Sequence, residues 1–241
     1  MNAVEISNLT VLFQTRDGPV KAVDGLTLNV PVGHVVGFLG PNGAGKTTTI
    51  HVLLGFMRPT SGAAKVLGSD VREAAARRRI GYLAEHPDTY RFLTGRELLT
   101  ATGRLFDLKG PDLSRRVDSL LERVGLSAAA DRRISTYSRG MMQRVCLAQT
   151  LVNDPEIVIL DEPTSGLDPI GRMDIRSLMS DLRRQGKTVF FSSHELSEVE
   201  MVCDRLAIMA KGRLVAEGPV EELVPRGERL ERYFMRMVMP K

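Results

Sequence analysis

Short apolar runs and amphipathic stretches take turns along most of the 241 residues. Residues 4–11 and 22–30 partly alternate apolar with polar positions, the period of a half-buried strand. Asp17-Gly18-Pro19 between them predicts a turn. Residues 34–39 (HVVGFL) form a short apolar run, which predicts a strand covered on both faces. A glycine-rich loop follows, then a helical stretch from 46 to about 55. Residues 58–62 break the chain, and 64–67 resume strand.

From about 86 to 139 the pattern turns helical. Thr94-Gly95-Arg96-Glu97 has the spacing of a capping box and opens a segment running to Phe106. Leu113, Val117, Leu120, Leu121 and Val124 fall on one helical face, and Gly125 stops it. Beyond this insert the alternation returns. Residues 157–160 predict a buried strand, and Asp168-Pro169 opens a helix carrying Ile175, Leu178, Met179 and Leu182 that ends at Gly186. Residues 188–192 read as strand, and 206–216 as a hairpin turning at Lys211-Gly212 on the sheet edge. The tail from 225 to 241 is basic and Met-rich, with room for a short helix. Alternating β and α segments predict an α/β fold with a mainly parallel sheet and helices on both faces.

Composition narrows the class. At 43% hydrophobic and 26% charged residues the chain is globular, neither disordered nor fibrous. The basic excess comes from 26 Arg and 7 Lys against 29 acidic residues, a net charge of +4. That charge suits an anionic ligand but is too small and dispersed for a nucleic-acid partner. Cys146 and Cys203 form no disulfide framework and no Cys-x-x-Cys pair, as in a reducing cytoplasm. The N-terminus lacks the basic and apolar regions of a signal peptide, and no run approaches the ~20 apolar residues of a membrane span. Work at a membrane therefore requires a partner.

The first candidate chemistry is Gly40-Pro41-Asn42-Gly43-Ala44-Gly45-Lys46-Thr47, which fits Gly-x-x-x-x-Gly-Lys-Ser/Thr between a strand and a helix. Glycines allow successive backbone N–H groups to converge on an anion, and the helix N-terminus adds its dipole. Lys46 supplies charge for the β- and γ-phosphates, and the Thr47 hydroxyl is placed for Mg²⁺, with Thr48 beside it. The expected ligand carries a β- and a γ-phosphate and comes with Mg²⁺. The second is Asp161-Glu162, two carboxylates at the end of an apolar strand. Ligands of open α/β sheets gather at such strand ends. Asp161 there orients a magnesium-bound water, and Glu162 is the candidate general base for the water attacking the γ-phosphate.

Further segments identify the family. Tyr137-Ser138-Arg139-Gly140-Met141, followed by Gln143-Arg144, resembles the signature of the ATP-binding subunits of ABC transporters. The usual Gly-Gly pair is Arg139-Gly140 here, a variant similar to the branch that exports drugs, lipids and polysaccharides. Ser138 also opens a helix, which makes a second anion-binding end. The resemblance covers the chain from Val4 to about Gly218. It implies a P-loop NTPase core with an antiparallel β edge subdomain and a helical insert at about 87–140, all in one domain of 1–241 with a short extension at 219–241. It implies two subunits packed head to tail, each ATP lying between one phosphate loop and the other subunit's Ser138 and Gly140. Asp168, in Ser165-Gly166-Leu167-Asp168, resembles the loop crossing that interface, and is also a plain helix cap before Pro169. His194, in Ser192-Ser193-His194-Glu195, resembles the switch histidine at the γ-phosphate. Phe13 stands where the family stacks an aromatic ring on adenine. Glu85 stands where the family has a glutamine; it reads equally as a hard oxygen ligand for Mg²⁺ and as a solvated loop residue.

The resemblance implies a Mg²⁺-dependent ATPase subunit that powers export through an integral membrane permease, as a homodimer or heterodimer, cytoplasmic and peripheral on the inner membrane face. Two other classes compete. A mechanical ATPase acting on ribosomes or DNA would carry two ATPase modules or long coiled coils, and the sequence has one module and no sustained heptads. A sensor that binds ATP without hydrolysis would lose Glu162 or His194, and both are present. Arg77-Arg78-Arg79 reads as a solvated helix face, Cys146 as a small buried hydrophobe.

Overall fold

The computed structural model describes residues 1–16 and 18–239. Asp17 of the turn signal, and Pro240 and Lys241 of the tail, lie outside the described residues. In chain order the elements begin β1 (Asn2–Thr15), β2 (Gly18–Pro31), β3 (Val35–Leu39), α1 (Lys46–Leu53), β4 (Ser61–Val66) and β5 (Ser69–Asp70). The middle comprises α2 (Ala74–Arg77), β6 (Ile80–Leu83), α3 (Gly95–Leu105), α4 (Gly110–Arg123), two short 3-10 turns, and α5 (Arg139–Thr150). The chain continues as β7 (Ile157–Leu160), α6 (Pro169–Arg184), β8 (Thr188–Ser193), α7 (Leu196–Val202), β9 (Arg205–Ala210), β10 (Arg213–Pro219), α8 (Val220–Leu223) and α9 (Leu230–Val238).

The apolar runs make a six-stranded sheet in the order β10-β9-β3-β8-β7-β6. Every pairing in it is parallel except the β9–β10 hairpin at the edge. All five residues of β3 are buried, as a central parallel strand requires. Because successive side chains of a strand leave on opposite faces, the sheet divides two cores. Val35, Leu39, Val158, Leu160, Val189 and Phe191 face one that also holds the inner faces of α3, α4, α5 and α6. Val36, Phe38, Ile157, Ile159 and Phe190 face the other. There Phe38 and Phe190 pack with ring centroids 5.0 Å apart, worth about 0.5–1.5 kcal/mol beyond their burial.

Helices lie on both faces, as expected, but they do not cover the second face alone. The second face is covered by α1 together with a separate antiparallel sheet, β2-β1-β4-β5. The reason lies in β1 and β2, which bury one side each: Val4, Ile6, Leu9 and Val11, and Val23, Leu26, Leu28 and Val30. Two long strands with one apolar face pair with each other and then shelter that face on a core. β1 pairs with β4 along its other edge, with register shifts in both pairings. Gly62 makes this approach possible: it has φ +83° and lies against the Asn8 carbonyl, where a Cβ has no room.

In the insert, Thr94 accepts from the Glu97 N–H and the Glu97 carboxylate accepts from the Thr94 N–H, forming the capping box that starts α3. The arginine run is solvent-exposed at Arg77 and Arg78, as expected, but it is not a continuous helix face. Only Arg77 lies in α2; Arg79 forks onto Glu156 at 2.5 and 2.7 Å and Arg78 reaches Asp107 at 3.1 Å, because the helix ends after one turn and the two side chains turn to separate carboxylates. In the tail, Leu230 and Tyr233 of α9 are buried against the helical core. No described helix is long and apolar enough to cross a membrane.

Candidate nucleotide-binding site

The loop between β3 and α1 leaves the carboxyl end of the central strand. Gly43 has φ +78° and Gly45 φ +101°, conformations open to glycine at little cost. A side chain at Gly45 would also run into the Ala22 carbonyl of β2. The loop is braced by Ala44 N–H donating to the Pro41 carbonyl at 3.1 Å and by Gly212 N–H donating to the Ala44 carbonyl at 3.1 Å. The first N–H groups of α1 have no partners within the helix and face outward from its positive end. Residues 41–48 line a concavity of about 470 Å³ together with Ala22, Glu85, Glu162 and His194.

Lys46 is buried beneath this loop, and its ammonium donates to the Gly40 carbonyl at 2.6 Å. Glu162 Oε1 is 3.9 Å from it. Burial pushes the Lys46 ammonium below the usual lysine value, and the charges of Glu162, Asp161 and Glu85 offset only part of that. Such a cation gains from an incoming polyphosphate what desolvation removes.

The carboxylates follow β7. Glu162 takes a left-handed backbone, φ +49°, uncommon for a side chain of this kind. Its Oε2 lies 2.8 Å from His194 Nδ1 and 3.3 Å from the His194 N–H, which donates to it. Ser192 Oγ donates to Asp161 Oδ1 at 2.5 Å and accepts the Glu162 N–H at 2.9 Å. Burial and the Asp161 charge push the Tyr82 phenol up to about 12.

Mg²⁺ fits the donor set. The Thr47 hydroxyl, Asp161 and Glu85 are hard oxygen donors, and Thr47 and Glu85 line the concavity. The described residues hold no cluster of three or more His, Cys, Asp or Glu suited to a metal. A magnesium ion that keeps its waters and leans on substrate phosphates needs none.

Ser138 caps α5 by accepting the Met141 N–H at 3.2 Å, and Asp168 caps α6 by accepting the Gly171 N–H at 2.7 Å. Both line a second concavity of about 390 Å³ with Arg139, Gly140, Gly166 and Leu167. It shares no lining residue with the first. Phe13 lies on an exposed part of β1 opposite Val20 and is not among the residues lining the phosphate-loop concavity. The structure thus brings Lys46, Glu85, Glu162 and His194 to one concavity and sets Ser138, Gly140 and Asp168 in another.

Two contacts at the site link segments that are distant in sequence. One is the Ser192 bridge. The other is Gln143, whose Nε2 donates to the Pro163 carbonyl at 3.0 Å and ties α5 to the loop after Glu162. A serine closing an apolar strand beside the carboxylate strand was the available signal for the first. For the second, Gln143 stands in the segment that resembles the signature, but nothing in the sequence gives its partner at Pro163.

Comparison with known proteins agrees with this geometry. The family model described as ABC transporter matches residues 23–165. An uncharacterized ABC transporter ATP-binding protein of Nostoc is 44% identical, over 92% of this chain and 68% of its own length. The Nod factor export ATP-binding protein I of Neorhizobium galegae is 41% identical, over 92% of this chain and 63% of its own. The chain thus spans about two thirds of the length of such curated relatives. A solved structure described as the ATP-binding subunit of an ABC transporter superposes with a TM-score of 0.89 at 28% identity, over 98% of this chain and 99% of the other. With that family model matching more than half of the chain and relatives above 40% identity covering most of it, the chain belongs to the ABC transporter family as one of its ATP-binding proteins.

Proposed function

We propose that the chain binds and hydrolyses Mg²⁺-ATP and that closure around the nucleotide powers export through a separate membrane permease. The carrying observation is the Glu162 carboxylate, held 2.8 Å from His194 Nδ1 and 3.9 Å from Lys46 Nζ in the phosphate-loop concavity. In this reading the loop N–H groups and Lys46 hold the β- and γ-phosphates. Glu162 accepts a proton from the water that attacks the γ-phosphorus as the bond to ADP breaks, and His194 holds that water and the γ-phosphate. Bound at Thr47 and Asp161, with Glu85 as a further oxygen, Mg²⁺ supplies charge neutralisation for the phosphates. Phe13 is the adenine contact.

Two anion-binding helix ends in separate concavities meet on one nucleotide when a second copy, or a similar subunit, packs head to tail, so that Ser138 and Gly140 of each face the other's ATP with Asp168 at the seam. ATP then favours the closed pair by its contacts to both halves, and hydrolysis removes them. In this single-domain organisation the helical insert at about 87–140 passes the movement to the permease on the inner membrane face, and 219–241 is an accessory extension. Export is supported by the Arg139-Gly140 signature and by the relative named for Nod factor export.

The test is Glu162→Gln. Loss of a general base costs roughly 10²–10⁴-fold. Phosphate release should fall to that extent while Mg²⁺-ATP binding persists and gel filtration gives a dimer. Turnover at the parental rate would remove the base assignment.

A further inference from the structure

The Ser192 side chain sits at the junction of the two carboxylates and is fully buried. β8 runs parallel to β7, with Leu160 opposite Phe191, so Ser192 comes level with the first residue beyond β7. Its hydroxyl has one proton and two acceptor lone pairs. The Glu162 N–H can only donate, so it occupies a lone pair, at 2.9 Å. The proton is then committed to Asp161 Oδ1, at 2.5 Å.

We infer that Ser192 is a positioning residue for ATP hydrolysis, setting the orientation of Asp161 and Glu162 through one hydroxyl. It takes one oxygen of Asp161 and leaves the other for the metal's water. It also anchors the Glu162 N–H, which holds the residue at φ +49° and turns its carboxylate to Lys46 and His194. Left-handed backbone at a non-glycine residue persists only where the surroundings impose it, and this bond is one such constraint. The inference rests on the roles given to Asp161 and Glu162 above.

Ser192→Ala removes the bridge, and Ser192→Thr keeps a hydroxyl. Partners of metal-orienting ligands typically contribute 10–100-fold to metal affinity or activity. In Ser192→Ala, kcat should fall by about that factor and the Mg²⁺ concentration for half-maximal rate should rise at least about fivefold. Affinity for a fluorescent ATP analogue in EDTA should stay within about twofold of the parent, whereas its strengthening by Mg²⁺ should be lost. Ser192→Thr should recover most of the rate and of the Mg²⁺ response. The inference is overturned if Ser192→Ala keeps the parental Mg²⁺ response. It is equally overturned if analogue binding in EDTA falls as far as binding in Mg²⁺, which marks general damage. A parental chain without turnover would sink the proposed function instead, and Mg²⁺-dependent analogue binding would still judge Ser192.

Discussion

Gln143 offers a measurable link between α5 and the loop that carries Glu162. It is 5% exposed, and its amide is the side-chain donor to the Pro163 carbonyl, one residue beyond Glu162. Gln143→Leu roughly conserves bulk but removes the donor. The buried carbonyl then loses its partner, at a cost of about 1–3 kcal/mol. For a chain of this size each kcal/mol moves Tm by about 2–4 °C, so a ligand-free thermal melt should fall by roughly 2–12 °C. Gln143→Glu sharpens the argument. An ionised carboxylate cannot donate and faces the carbonyl with like polarity, so at pH 7 this variant should melt below Gln143→Leu. Burial disfavours the charged form and raises the carboxyl pKa in the folded state. The native state then binds more protons than the unfolded one, so stability falls as pH rises through that window and the deficit shrinks on acidification. Circular dichroism melts from about pH 5 to pH 8 read both effects. A Gln143→Leu melt within about 1 °C of the parent, or a Glu variant whose deficit ignores pH, would refute the reasoning.

Gly45→Ala should weaken Mg²⁺-ATP binding by more than about tenfold and cost about 1–3 kcal/mol, because φ +101° is strained for alanine and the Ala22 carbonyl blocks its methyl; isothermal titration giving the parental Kd would contradict this. Cys146 is held at about 12 by burial first and the Asp88 charge second, and burial pushes Cys203 up as well. At pH 8 the Cys146 thiolate fraction is then on the order of 10⁻⁴. A disulfide reagent should leave Cys146 unmodified in the native chain and modify it in denaturant; rapid native labelling of Cys146 would show its burial to be wrong.

Much of the fold is legible in the residues because its signals are local. The buried runs at β3 and β7, the Thr94 capping box and the glycine stops at 125 and 186 each describe a segment that folds by its own periodicity or cap. The carboxylates that Arg78 and Arg79 meet are not legible there, because neither Asp107 nor Glu156 is near in sequence.

The sequence by itself determined the α/β class, the phosphate loop with Lys46, and the presence of two carboxylates after an apolar strand, since each is written in consecutive residues. Tertiary structure decided what these groups face. It placed an antiparallel sheet over the second side of the core, brought His194 and Glu85 to the Lys46 concavity, and set Ser138 and Asp168 in another. It also threaded the Ser192 hydroxyl between Asp161 and Glu162, across 30 residues of chain. Pairings of that kind depend on strand order and register, which arise from the packing of distant segments and leave no mark in any one stretch of sequence.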